Sequence, residues 1–350
     1  MTPYRCARDD YDKGILLDAN ENSFGPTQPP SSGNPLSLER YPSPYQIPLK
    51  EKVAALRGCK VENLFVGVGS DEAIDLLFRV FCRPSTAEHV IITPPTYGMY
   101  KVCAAVNDVG IREVPLAPDF NVRVDEVLKA VDDNTKLIFI CTPGNPTSKA
   151  IPRSDIKRLL DSSYKGLLVV DEAYVDFSPE GSSVVDLLPS YPNLVVCQTL
   201  SKAFGLAGIR CGFCFGAPDV IALLNNVKAP YNLSSLSSAA AHGALDNVAV
   251  LRGNVKALLA ERASVKAELE AKQYVVRVCH SDANFLLFEL KSHAKETYKM
   301  MADGGVVTRF RGSELHCNNC LRVTIGKPDE NSAFLQSLDK AWNKLAGAKA

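Results

Sequence analysis

The sequence predicts an α/β protein: a mostly parallel central sheet flanked by helices, followed by a smaller α/β unit. Three observations predict it. Short runs rich in Val, Ile and Leu recur along the chain, and such runs suit strands buried on both faces of a parallel sheet. Helical stretches separate several of them, which implies right-handed crossovers. After about residue 233 the pattern changes to long helical segments rich in Ala, Leu, Glu and Lys, with a few strands between them. A length of 350 residues suggests about two domains, each able to bury its own core without a disulfide or metal staple. The expected division is an N-terminal arm with part of the small domain, 1–46, a large domain, 47–233, and a small C-terminal domain, 234–350.

The elements follow in order. Seven prolines (26, 29, 30, 35, 42, 44, 48) make 26–48 an extended arm rather than a regular helix. LKEKVAALRG reads as an amphipathic helix stopped by Gly58. NLFVGVGS is a short strand entering a glycine turn, and DEAIDLLFRVFC is the helix after it. HVIITPP, IREVPL, KLIFICTP, GLLVVDEA and NLVVCQTL are buried strands, with a helix at 154–163 among the connections. Residues 236–272 are strongly helical. Strands YVVRVC and NFLLFEL come next, then a helix near 292–303, strands GVVTRF and LRVTIG, and a terminal helix from about 330. No internal repeat is evident at periods of 20–50 residues.

Composition excludes several functions. Acids and bases balance at 39 each, so no broad basic field exists to hold nucleic acid. No apolar run approaches the ~20 residues of a membrane span, and the polar start MTPYRCARDDYDKG lacks the apolar core of a signal peptide. A cytoplasmic location is expected. The eleven cysteines then read as mostly reduced thiols. Two CxxC pairs, Cys211/Cys214 and Cys317/Cys320, lie too far apart in sequence for one zinc site. Positions three apart on a strand point to opposite faces, so the cysteines of RCGFCFG read as small buried hydrophobes, and no metal is expected.

Parallel strands end at a common edge, where ligands bind, so the residues just past each strand carry the chemistry. Gly69-Ser70-Asp71 opens a helix whose first N–H groups can hold a phosphate; a plain strand–helix turn would look the same. GVGSDE has Glu72 at its sixth position, so no dinucleotide fingerprint exists. Tyr97 can stack on a flat ring or simply pack in the core. Asn145, between Gly144 and Pro146, can present a rigid amide or serve a turn. Asp171, ending a buried strand, is costly unless it meets a cation. Ser201, Lys202 and Arg210 lie past the next strand, and Lys202 alone could be one more surface lysine. Together these residues match the needs of pyridoxal 5'-phosphate. It requires a lysine for a Schiff base, an acid to keep the ring nitrogen protonated, donors for the ring oxygen, and a cup for the phosphate.

These segments resemble the fold-type I, aspartate-aminotransferase-like enzymes. TLSKAFGLAGIRCGF is similar to their lysine segment, and PGNPTS and DEAYVDF to their Asn and Asp/Tyr segments. LDANENSFGP, RYPSP, GVGSDEAID, PTYGMY, SDANFLLF and LRVTIG narrow the resemblance to the histidinol-phosphate aminotransferase family, over roughly 17 to 326. The resemblance implies a large cofactor-binding domain with a smaller α/β domain. It makes Lys202 the Schiff-base lysine, pairs Asp171 with the ring nitrogen, and bonds Tyr174 and Asn145 to the ring oxygen. Tyr97 stacks on the ring. Ser70, Asp71 (through its N–H), Ser201 and Arg210 hold the cofactor phosphate. Arg322 grips the anionic group on the substrate's α-carbon, and Arg309 is a second anion-binding arginine. Tyr41 is donated across a homodimer interface to cofactor phosphate or substrate, and Asn20 belongs to the arm covering the site.

The implied activity moves an amino group between histidinol phosphate and 2-oxoglutarate, giving imidazole-acetol phosphate and glutamate in histidine biosynthesis. Lys202 would act as base, which needs a neutral amine near pH 7, favoured by burial and cationic neighbours. A threonine-phosphate decarboxylase-like lyase or an aromatic amino acid aminotransferase would share Lys202, Asp171 and Arg210. A non-catalytic binding module on this fold would more commonly lack the lysine. The chain departs from the family pattern at Thr308 and at Arg311, a second arginine that unsettles the register of Arg309. It departs again at Cys279-His280-Ser281 and in the HCNNC loop before LRVTIG.

Overall fold

The computed structural model describes residues 19, 21–22, 24–27 and 35–347. Helix α1 (Ile47–Arg57) begins inside the proline-rich arm, because Pro48 falls in its first turn, where a missing N–H costs nothing. Gly58 ends it in the left-handed region, φ 71°. The central sheet then unfolds in sequence: β1 (Leu64–Val68), β2 (His89–Ile92), β3 (Gly110–Glu113), β4 (Thr135–Cys141), β5 (Leu167–Asp171), β6 (Leu194–Thr199) and β7 (Cys211–Phe215). Helices α2 (Gly69–Phe81), α3 (Met99–Val106), α4 (Val124–Lys129), α5 (Arg153–Leu160) and α6 (Pro218–Val227) intervene or follow. Strand order is β1-β7-β6-β5-β4-β2-β3. Only β7 runs against its neighbours, so the sheet is mostly parallel, as the sequence predicts.

Alternate residues feed two cores. Ile138, Ile140, Leu168, Val170 and Val196 face one side; Leu137, Phe139, Val169, Val195 and Cys197 face the other. Cys211 and Cys214 fall on opposite faces and into different cores, as their three-residue spacing requires.

The second sheet, order β10-β11-β9-β8, is antiparallel throughout. Its strands are β8 (Val275–Val278), β9 (Phe285–Leu290), β10 (Arg309–Phe310) and β11 (Cys320–Thr324). One face packs Leu286, Phe288 and Leu321 against α8 (Val248–Glu270), α9 (Ala294–Asp303) and α10 (Pro328–Gly347). The other places Leu287 and Cys320 in the core of the central sheet.

Three elements differ from expectation. The IREVPL strand, expected to be buried, is β3 at the sheet edge, and the residues of β3 are half-buried or exposed. The helical stretch 236–272 is two helices, α7 (Ser235–Asp246) and α8, parted at Asn247, whose side-chain amide donates to the Gly243 carbonyl at 2.7 Å. That bond offers the backbone an alternative to continuing the helix. The strand expected over GVVTRF shrinks to Arg309–Phe310. Gly305 takes φ 89° and the Val306 N–H turns back to the Met301 carbonyl at 2.9 Å, so these residues close α9 instead. Helix α7 packs Ala241 and Leu245 into the core that also holds Leu49 and Val53 of α1.

Candidate active site

Strands β1, β4, β5 and β6 are parallel, so their carboxyl ends share one edge of the sheet, and the chain reverses there into β7. At the end of β1, Gly69 turns with φ 74° and donates its N–H to the Arg210 carbonyl at 2.9 Å. Glycine suits this left-handed turn, and a Cβ there would meet Arg210 Nη2 at 2.7 Å and push the guanidinium aside. The first turn of α2 therefore starts beside Arg210, with Ser70 and Asp71 presenting backbone N–H groups to the same space. Arg210 Nη2 lies 3.3 Å from Asp71 Oδ2, and Nη1 donates to Ser201 Oγ at 3.5 Å. Ser201 is steadied by its N–H, which donates to Thr199 Oγ1 at 3.1 Å.

Asp171 closes β5 and is buried. Its Oδ2 accepts the Tyr100 hydroxyl at 2.6 Å, and its Oδ1 accepts the Ala173 N–H at 3.2 Å. Burial pushes its carboxyl up to about 6, while these two donors pull the other way. Lys202 Nζ stands 5.5 Å from the Tyr174 ring centroid. Burial, and then the Arg322 charge, lower its ammonium from the ordinary lysine value. Burial raises the Tyr174 phenol to about 12, so it remains a donor at neutral pH. The Tyr97 hydroxyl donates to Asp71 Oδ1 at 3.0 Å. Arg322, from the second sheet, donates from Nη1 to Asn145 Oδ1 at 2.5 Å and lies 5.1 Å over the Phe285 ring.

A cavity of about 180 Å³ gathers Ser70, Asp71, Tyr97, Asn145, Asp171, Tyr174, Ser201, Lys202 and Arg210, the whole cofactor set expected from the sequence except Tyr41. Tyr41 stacks on Tyr231, centroids 4.6 Å apart, and is half exposed, outside this cavity. Arg309 is exposed at the edge of the small sheet, and Asn20 lies outside the described residues. Cys141, Ala173, Thr199 and Ala207 also line the cavity.

Sequence reasoning missed Tyr100. Its one signal was position: three residues past Tyr97, a buried tyrosine must find a partner for its hydroxyl. The cavity fits pyridoxal phosphate on chemical grounds. A buried carboxylate whose bonded partners are both neutral calls for a cation, which a protonated ring nitrogen supplies. The same cavity offers helix N–H groups and Arg210 for a phosphate, and Lys202, whose ammonium is lowered by burial, lines it too.

Comparison with known proteins covers the stretch of chain that holds these residues. The family model "Aminotransferase class I and II" matches residues 12–338. Histidinol-phosphate aminotransferase of Candida maltosa is 44% identical over 374 aligned positions, covering 99% of this chain and 96% of that protein. Among solved structures, histidinol-phosphate aminotransferase from Sinorhizobium meliloti in complex with pyridoxal-5'-phosphate superposes with TM-score 0.81 at 23% identity, covering 93% of this chain and 90% of that one. L-threonine-O-3-phosphate decarboxylase from Porphyromonas gingivalis follows at TM-score 0.76 and 22% identity, covering 87% and 91%. At such identities the structural likeness speaks to the fold, which a transaminase and a decarboxylase share. The full-length sequence match decides between them: the chain belongs to the class I and II aminotransferases, in the histidinol-phosphate aminotransferase family.

Proposed function

We propose that the protein is a pyridoxal-phosphate-dependent transaminase that exchanges an amino group between histidinol phosphate and 2-oxoglutarate, yielding imidazole-acetol phosphate and glutamate in histidine biosynthesis. The observation that carries this reading is the 44% identity to a histidinol-phosphate aminotransferase across 99% of the chain. The convergence of nine expected residues on one cavity supports it.

Ser70, Asp71 through its N–H, Ser201 and Arg210 would hold the cofactor phosphate. Asp171 would pair with the ring nitrogen, Tyr174 and Asn145 would bond the ring oxygen, and Tyr97 would cover one ring face. When bound, the cofactor supplies a cationic ring able to take up the charge left when the substrate's α-carbon loses a proton. Lys202 would be the base for that proton: burial, and then the Arg322 charge, lower its ammonium and so favour release of the amine that must accept it. Tyr174, held as a phenol, keeps a hydroxyl to donate. Arg322 and Arg309 would take the substrate anion, since a guanidinium fork pairs with carboxylate or phosphate alike.

The reading includes a cytoplasmic homodimer, with Tyr41 and Asn20 of the arm serving the partner's site; the half-exposed position of Tyr41 outside the cavity supports that use. It also keeps the division into an arm, 1–46, a cofactor-binding domain, 47–233, and a small domain, 234–350. No helix among the described residues is long and apolar enough to cross a membrane.

An amino-donor panel with 2-oxoglutarate tests the activity. Histidinol phosphate is expected to give glutamate fastest, ahead of phenylalanine and aspartate. Carbon dioxide released from threonine phosphate without glutamate would replace the transaminase by a lyase. Borohydride treatment of the loaded protein is expected to fix the cofactor to the chain at Lys202, and Lys202→Ala to abolish that attachment. Attachment persisting in Lys202→Ala would reassign the lysine.

A further inference from the structure

The pairing of β10 with β11 sets Arg309 opposite Arg322 and Phe310 opposite Leu321. The Arg311 N–H donates to the Cys320 carbonyl at 2.9 Å, which carries the ladder one residue further. Side chains alternate along a strand, so Arg309, Arg311, Cys320 and Arg322 share one face. Cys320 packs into the core of the central sheet, whereas Phe310 and Leu321 pack with the C-terminal helices. The arginine face is therefore the one turned toward the central sheet, where Arg322 reaches Asn145 of the cavity lining.

The arginines on this face are not equivalent. Arg309 is exposed, while the Arg311 side chain keeps 19% of its surface and buries its Nε without a hydrogen-bond partner. Arg311 Nη1 lies 3.3 Å from Glu314, the one carboxylate paired with any of the three among the described residues. Arg322 bonds the neutral amide oxygen of Asn145. Charge from Arg311 is felt at Arg322 and also at the Tyr174 phenol inside the cavity; that of Arg309 is felt at Arg322. Three guanidiniums with one carboxylate make a poor structural cluster, since like charges repel. They make a good receptor for an anion of more than one charge. A phosphomonoester carries close to two at neutral pH, and a carboxylate carries one.

We infer that Arg311 is a further anion-binding residue of the active site, and that its guanidinium, added to Arg309 and Arg322, sets a preference for amine substrates bearing a phosphate dianion over their phosphate-free counterparts. The inference rests on the transaminase reading. It also gives Glu314 a role: the carboxylate holds Arg311 in place and competes with the incoming phosphate.

The test measures kcat and KM of the holoenzyme for histidinol phosphate and for histidinol, at saturating 2-oxoglutarate, in wild type, Arg311→Gln, Arg311→Lys and Glu314→Gln. Arg311→Gln is expected to lose about tenfold or more in kcat/KM for histidinol phosphate, chiefly through KM, the scale of a lost charge-assisted hydrogen bond. Histidinol should change less than about twofold, and Arg311→Lys should recover part of the loss. Inhibition by inorganic phosphate should weaken in parallel. Glu314→Gln should act in the opposite sense and lower KM for histidinol phosphate. This variant removes no cation and keeps the test alive should Arg311→Gln fold poorly. Equal losses for both donors, or unchanged phosphate inhibition, would overturn the inference. Wild type that does not distinguish the two donors would instead overturn the functional reading.

Discussion

Asp171 is where opposing effects meet on one carboxyl. Burial raises it to about 6, and the Tyr100 hydroxyl at 2.6 Å is the largest influence holding it down. Tyr100 is itself fully buried, stacked on Phe139 with centroids 4.6 Å apart, so its ring is fixed with its hydroxyl against Asp171 and beside Cys141. Tyr100→Phe removes the donor and leaves the packing. The Asp171 carboxyl should then titrate above its present value, and its proposed pairing with a ring nitrogen should weaken at neutral pH. Cofactor affinity is expected to drop about tenfold at pH 7, the equivalent of about 1.4 kcal/mol, and to recover toward wild type by pH 8.5. Cofactor titrations followed by visible absorbance from pH 6 to 9 measure this. An equal loss at every pH would make Tyr100 a packing residue. The sequence announced Asp171, because an acid closing an all-apolar strand needs a partner. It could not announce Tyr100, whose role depends on α3 turning that hydroxyl back under the sheet edge, and buried tyrosines on helices are ordinary core residues.

Among elements, the contact between β7 and the first turn of α2 would shape the proposed phosphate cup. Gly212 pairs with Gly67 on one side and Thr199 on the other. A Cβ at Gly212 would lie 2.2 Å from the Ser70 nitrogen and 2.4 Å from the Gly69 carbonyl carbon, which is backbone and cannot step aside. Gly212→Ala must therefore push the first turn of α2 away from β7. Expected losses are about 2 kcal/mol of stability, as for other overpacked sites, and more than about tenfold in cofactor affinity. Gly208→Ala, whose Cβ meets nothing within 4 Å, is the matched control and should stay within about twofold. Thermal melts and cofactor titrations of both variants decide it; equal effects would mean the cup does not depend on the β7 contact. Gly212 was not legible as a contact, since RCGFCFG reads simply as a strand. The strands themselves were legible, because burial on both faces writes itself as continuous Val, Ile and Leu. Boundaries set by a single side-chain bond, as at Asn247, or by a helix cap, as at Gly305, were not, since neither changes the apolar pattern.

For the molecule as a whole, 39 acids against 39 bases leave no net charge, so stability near neutral pH turns on a few buried groups rather than on general repulsion. Asp171 and Glu172 stand side by side. Asp171 faces the cavity, while Glu172 accepts from Ser183 Oγ at 2.6 Å, Gln198 Nε2 at 2.8 Å and the Val184 N–H at 2.7 Å. Burial raises Glu172 from 4.5 to about 7 and Asp171 from 3.8 to about 6. The folded state thus binds these protons more tightly than the unfolded one. Their contribution is fully present below about pH 4 and is lost as pH rises through 6 to 7, on the order of 3 kcal/mol for Glu172. A cofactor with a cationic ring offsets the share of Asp171 but not that of Glu172. Lys50 works oppositely and later: burial lowers its ammonium from 10.5 to about 8, so its cost is relieved as pH rises past 8. The melting temperature of cofactor-free protein should therefore fall from pH 5 to pH 8, and Glu172→Gln should flatten that slope. With Gln198 flipped, the new side chain can donate to Gln198 Oε1 and to Ser183 while still accepting from Val184; the flipped Gln198 amide then takes the place of the unpartnered Oε1, a loss that is the same at every pH. Melting curves of both proteins at pH 5 and pH 8 give the comparison. A difference between them that is the same at both pH values would show that Glu172 does not carry the dependence.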